Sequence, residues 1–267
     1  MRALSRDYTI VLWLLKLGGL INLYFLVNTR RLASGDADAY IVLPAQIFFA
    51  VSAYRCVFPV RYENNVVFHN CIFSSIFVTR LSATFSEIAI IFLFSHVLCL
   101  LNIDHVQWVV ALSWLMVALV VISQVFVWCA VLTGQLELYF FEEAGWALIF
   151  VANTTASAYL YLTNGALGGR EVLLRLNVLF GIVYLPWQVI HLSTLRANAR
   201  KNSARTGGSQ SITIRLATGL KRAVQVKTRQ TDAASWGGLV GLTWMTGYWA
   251  TLMPAWVFYI VKVLCSH

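Results

Sequence analysis

The chain reads as an all-α, polytopic integral membrane bundle of about seven transmembrane helices, with its amino terminus inside. Three observations predict this. Apolar runs of about twenty residues recur along nearly the whole length, each long enough to cross a bilayer. Charge is scarce: 12% of the 267 residues are charged against 59% hydrophobic, and mean hydropathy is +0.71, where a soluble domain is about a quarter charged. The net charge of +9 is concentrated, with nine of the 20 Lys and Arg between Arg196 and Arg229. Beside so many spans, that block reads as an inside-facing membrane loop and not as a nucleic-acid site.

The first span covers residues 8–27, with Lys16 near its middle and Gly18-Gly19 offering close helix approach. It is too long for a signal peptide and has no small-residue cleavage site. Residues 34–38 form a polar turn, and residues 39–58 the second span, which Pro59 stops just after Arg55. Arg61 to Asn65 is a polar loop, and His69 lies on the return to the membrane.

The third span, residues 74–101, is the polar spine. It carries Arg80 and Glu87 inside an apolar run. At 100° per residue, Arg80, Thr84 and Glu87 share one stripe, and Thr79, Ser82 and Ser86 form another. Charges at membrane depth cost a few kcal/mol or more, so they face a bundle interior or a wet cavity. Seven residues rise about 10 Å, so Glu87 is expected to meet Lys16, a tyrosine hydroxyl or Asn153 in preference to Arg80.

Residues 102–105 make a tight turn, and the fourth span, residues 106–132, ends near Ser123, Gln124 and Trp128. The fifth, residues 142–162, places Glu143, Trp146, Phe150, Asn153 and Ser157 on one face, a stripe rarely turned toward lipid. The sixth, residues 172–191, contains Pro186 and an expected kink. The basic loop follows, flexible around Gly207-Gly208. Within it Ile212, Leu216, Leu220, Ala223 and Val224 recur at helical spacing beside Arg215, Lys221 and Arg222, as in a helix lying on anionic lipid. The seventh span, residues 237–264, opens with the small pair Gly237 and Gly241. The chain thus divides into helices 1–6 (residues 1–195), a basic loop (196–235) and helix 7 (236–267), with no sheet.

Charge bias sets the orientation. The amino terminus and the 2–3, 4–5 and 6–7 connections hold 13 Lys and Arg, and the opposite side holds Arg30, Arg31, Arg170, Arg175 and Lys262. Basic residues mark the inside: cytoplasm if the membrane is a bacterial plasma membrane, the matching compartment if it is organellar or endomembrane. The five cysteines are scattered and include no Cys-x-x-Cys, so free thiols are expected.

Candidate chemistry gathers toward the inside face. Glu87, Glu142, Glu143 and His69 are candidate acid–base groups, and Arg55, Arg80, Trp128, Trp146 and Asn153 candidate binding groups. Burial raises one carboxyl pKa while an arginine lowers another, a division that suits general acid–base work. The arginines equally suit an anionic head group such as phosphate. No paired-His spacing supports a metal, and no cofactor is expected. The bland alternative is an ion-pair network that locks the bundle.

Together Arg55 with Phe58-Pro59, Ser74-Ser75 with Arg80, Thr84 and Glu87, Trp128 with Leu132-Thr133, Glu142-Glu143 with Trp146, and Trp244 with Tyr248 resemble a family of multi-span bacterial membrane proteins. The resemblance covers most of the chain outside the basic loop. It implies a helical bundle and treats these residues as a set, without implying an activity. Size and span number are similar to membrane-bound terpene cyclases, but none of their motifs occur. A retinal protein is disfavoured because Lys262 falls at the membrane edge, about 38 Å along the last span. The leading expectation is an enzyme acting on a lipid or isoprenoid-like substrate. The alternatives are a structural or assembly subunit with a membrane-protein partner, and a proton-coupled transporter using Glu87.

Overall fold

A computed structural model describes residues 7–32, 39–62, 65–163, 168–203 and 212–265. The expected turn at 34–38, Glu63, Asn64 and the Gly207-Gly208 stretch lie outside the described residues. The chain is a polytopic helical bundle, and it divides into two compact units: residues 1–89 with 220–267, and residues 90–219.

The first unit contains α1 (Thr9–Leu32), α2 (Ala39–Val57), the opening turns of α3 (Ile76–Leu101), α8 (Gly238–Thr243) and α9 (Leu252–Cys265). Glycines set how closely its helices approach. A Cβ on Gly18 would fall 2.5 Å from the Ala250 Cβ, and one on Gly19 would already touch the Ala53 carbonyl at 3.4 Å. Asn22 crosses the same seam and donates from Nδ2 to the Trp249 carbonyl at 2.9 Å. Phe25 stacks on Phe258 with ring centroids 4.4 Å apart.

The last span is not one helix. Between α8 and α9, Trp244–Ala250 is wound as a π-helix, and the chain breaks at Thr251 (φ −132°, ψ −79°). Pro254 accounts for the break: it has no N–H to offer the Ala250 carbonyl four residues back, and its ring crowds that position. The Thr251 hydroxyl donates to the Thr246 carbonyl at 2.8 Å, which closes the wide turn. Segments of this kind recur at functional sites, and this one carries Met245, Tyr248 and Trp249 into the interior, all buried.

The expectation of no sheet is overturned. Strand β1 (Val60–Arg61) pairs antiparallel with β2 (Val66–Val67), and β2 pairs parallel with β3 (Thr228–Arg229). β-branched valines flank an Asn-rich turn, and Asn65 takes a left-handed φ of 53°, which asparagine tolerates well. Beside the sheet, Tyr8 donates its N–H to the Thr231 carbonyl at 2.8 Å, and Asp7 bridges Asp232. One end of this unit therefore collects the amino-terminal segment, the α2–α3 connection and the end of the basic loop.

The second unit contains the remainder of α3, α4 (Gln107–Thr133), α5 (Glu137–Thr163) and α6 (Gly169–Ser203). Asn102 ties the α3–α4 turn, accepting from the Val106 N–H at 2.9 Å while His105 takes φ 51°. Gly134 caps α4 in the left-handed conformation. Gly145 admits Ser123, and Gly181 admits Thr154, each with its hydroxyl about where a Cβ would sit. α6 runs 35 residues through Pro186 and on to Ser203, so the basic loop does not begin at Leu192 as expected. The amphipathic stretch forms α7 (Ile212–Gln225), with Leu216, Leu220 and Val224 exposed.

Among the described residues six helical stretches, with Gly238–Cys265 counted as one, are long and apolar enough to cross a membrane. α5 has the length, 27 residues, but falls below the others in apolarity. Its acids crowd the first turns, and Asn153, Thr154 and Thr155 interrupt the apolar part. All five cysteines are free thiols.

Candidate functional site

In the first unit the site is built on α3. The short 3-10 turn Ile72–Ser74 leads into it, and the Ser75 hydroxyl accepts from the Val78 N–H at 3.3 Å, an N-terminal cap. The hydroxyls of α3 are largely spent on its own backbone. From the hydroxyl stripe, Thr79 donates to the Ser75 carbonyl and Ser82 to that of Val78; from the charged stripe, Thr84 donates to that of Arg80.

Arg80 and Glu87 are 2% and 5% exposed, and Arg80 Nη2 donates to Glu87 Oε2 at 2.6 Å. This corrects the expectation, drawn from the helical rise, that a direct bond to Arg80 is out of reach. Helical side chains lean toward the amino terminus, so Glu87 leans back along the stripe while the long Arg80 side chain extends forward. Lys16, one of the expected partners, instead holds its ammonium 3.5 Å from the Trp13 ring centroid. Asn153, another, belongs to the second unit.

Tyr62, from the turn after β1, bridges two arginines. Its ring centroid lies 5.6 Å from Arg80 Cζ and 5.0 Å from Arg55 Cζ. Arg55 sits in the last turn of α2, 6% exposed, and donates Nη2 to the Val60 carbonyl at 3.3 Å. The Trp249 ring lies 5.3 Å from its Cζ. His69 is set apart from this pair, its ring edge-on to Trp13, Phe58 and Phe68. Burial, then the charges of Lys16 and Arg229, hold its pKa below the usual histidine value.

The second unit holds the other predicted residues. Glu142 is buried at 6% exposure. Gln188, fully buried, donates from Nε2 to the Glu143 carboxylate at 2.7 Å and to its carbonyl at 2.8 Å. His191 Nε2 is 3.7 Å from the same carboxylate. Trp146 is buried and stacks near Phe150, while Trp128 is half-buried. Asn153 is fully buried with neither amide atom hydrogen-bonded, and Asn177 donates to Ser157 Oγ at 3.0 Å.

Within the first unit, Arg55 and Arg80 lie against Tyr62 and Glu87 bonds Arg80. Within the second, Trp128 is on α4 and Glu142, Glu143, Trp146 and Asn153 are on α5. Among the described residues no three His, Cys, Asp or Glu side chains gather as a metal set. Sequence reasoning missed Tyr62, Trp249, Gln188 and His191. Tyr62 and Trp249 owe their positions to the sheet and the π-helix. Gln188 and His191 had a visible signal, a polar pair three residues apart on an apolar helix.

The chain matches no family model, no curated protein and no solved structure. The chemistry of the site therefore rests on its own geometry.

Proposed function

We propose that the protein is a membrane-embedded enzyme acting on a lipid- or isoprenoid-like substrate that enters from the bilayer, with Glu87 as its acid–base group. The observation that carries this reading is the buried Arg80–Glu87 pair within a membrane-spanning helix. Its cost at that depth calls for a use. The bond itself joins two residues of one helix, seven positions apart. Arg80 holds the carboxylate in one place, as a group that exchanges a proton with a substrate carbon or hydroxyl must be held. A substrate arriving through lipid also suits a chain with so little surface outside the membrane.

The test uses the double substitution Arg80→Met with Glu87→Leu. Replacing a buried pair by apolar residues of similar volume is often neutral for stability, so loss of chemistry is separated from loss of fold. Membrane lipids are extracted from cells expressing the native chain, the double variant or neither, and compared by mass spectrometry at matched protein levels. The expected result is a lipid species made or consumed only with the native chain. A double variant that reproduces the native lipid profile would overturn the reading. So would a native chain that leaves every lipid unchanged.

A further inference from the structure

We infer that Arg55 is the receptor for an oxyanion, the phosphoryl or carboxylate end of an amphiphile or a free anion of that kind. The inference begins from a charge the protein does not satisfy. Arg55 is 94% buried, as its 6% exposure states, yet Nε and Nη1 meet no hydrogen-bond acceptor. Nη2 alone is used, on a Val60 carbonyl at the long distance of 3.3 Å. Among the described residues no carboxylate pairs with it. A buried cation without a counter-charge is among the costliest arrangements a fold can hold.

The two aromatic contacts do not remove that cost. Tyr62 and Trp249 lie 5.0 and 5.3 Å from Cζ, distances at which a ring attracts the cation by about 0.5–2 kcal/mol. Ring contact leaves the N–H donors along the guanidinium edge unpaired. Those donors accept carboxylate or phosphate in plane, the recognition for which arginine is suited above lysine.

The neighbours of Arg55 point the same way. Trp249 Nε1 and the Tyr62 hydroxyl are both buried and both without a hydrogen-bond partner. An indole N–H can only donate, and a phenol donates readily. Three neighbouring residues thus carry unspent donors, and what they lack is an acceptor. A small cavity is lined by Arg55, Trp249, Leu15, Cys56, Pro59 and Met245 among others. It has room for a water-sized group and not for a chain. A single oxygen of a head group fits that space; the remainder of an amphiphile stays outside it. Arg55 lies in the last turn of α2, beside the sheet at one end of this unit.

This deepens the proposed function and rests on it only for the amphiphile; the oxyanion site stands on Arg55 alone. The test is thermal unfolding of the full chain in uncharged detergent, with added sodium phosphate or a short-chain phosphatidic acid, and sodium chloride at equal ionic strength as control. Stabilisation of the native chain by either phosphate probe beyond chloride, abolished by Arg55→Met, supports the inference. A shift with the lipid alone assigns the site to a head group, and a shift with both assigns it to the free anion as well. Without ligand, Arg55→Met should melt no lower than the native chain, because it removes an unpaired buried charge. Where that variant does not fold, Arg55→Lys keeps the charge and should raise the half-saturating concentration tenfold or more. No shift with either probe, or a shift that survives Arg55→Met or Arg55→Lys unchanged, overturns the inference. The Arg80→Met, Glu87→Leu chain should keep its shift, so loss of chemistry with retained binding would remove the enzyme and leave the receptor.

Discussion

Glu87 illustrates what a single buried residue asks of its surroundings. Glu87→Gln keeps a hydrogen-bond acceptor for Arg80 but removes the negative charge at that position. Breaking one side of a buried pair costs about 3–5 kcal/mol, and the amide oxygen recovers part of it. Glu87→Gln is therefore expected to lower stability by about 2–4 kcal/mol, and adding Arg80→Met to it should restore most of the loss. Unfolding in detergent measures both, and a melting point unchanged by Glu87→Gln would mean the pair is solvated. His69 gives a second residue-scale expectation. Its folded pKa is depressed, so the unfolded chain takes up the proton first as pH falls. Its stabilising contribution is complete above the unfolded value of about 6.5 and is lost as pH drops toward and through the folded value. His69→Phe should flatten the dependence of the melting temperature between pH 7.5 and 5; an unaltered slope would assign that dependence to other groups. The sequence placed Arg80, Thr84 and Glu87 on one stripe because helical periodicity is local. It did not reveal the direct Arg80–Glu87 bond, because the reach of two flexible side chains is not a matter of helical rise.

Gly237 sets the element scale. It was read as half of a small-residue pair for helix packing, yet it is a left-handed cap (φ 81°) against which Arg61 lies, its Nη1 1.4 Å from where a Cβ would be. Gly238 is also left-handed (φ 59°) but has open space around it. Gly238→Ala should cost only the backbone strain, about 1 kcal/mol, while Gly237→Ala adds the displacement of Arg61 and should cost about 2–3 kcal/mol. Equal melting temperatures for the two variants would show that Arg61 moves freely. The elements the sequence hid share a physical reason. The apolar run that became α8, the π-helix and α9 is continuous, and only Pro254 marks the interruption. Two-residue strands are too short for any alternation to register, so Val60, Val66 and Val67 read as loop. α6 overruns its expected end because Arg196, Arg200 and Lys201 are good helix formers, and loss of apolarity ends a membrane span without ending a helix.

At the scale of the whole molecule, the small sheet constrains the membrane topology more tightly than hydropathy does. The chain leaves the sheet after Val67 and returns to it at Thr228, with β2 and β3 paired side by side. Both points lie at one end of the same unit, so an even number of crossings must separate them. α3, α4 and α6 are apolar enough to cross, which makes three, and an odd number cannot bring the chain back. α5 is therefore expected to cross as well, despite Asn153, Thr154 and Thr155, which would make seven crossings. The polar residues of α5 then belong in the protein interior, where Asn153 and Ser157 are fully buried. The charge bias adds an expected direction, with the sheet end inside. Single cysteines in a chain freed of its five native ones test both statements with a membrane-impermeant maleimide. Asp7→Cys, Gln135→Cys and Gln230→Cys should react only from the inside, and His105→Cys and Gly168→Cys only from the outside. If the cysteines at positions 135 and 168 reacted from the same side, α5 would not cross, and the pairing of β2 with β3 could not form in a membrane. If all five reacted from sides opposite to those expected, the parity argument would stand and the basic loop would lie outside.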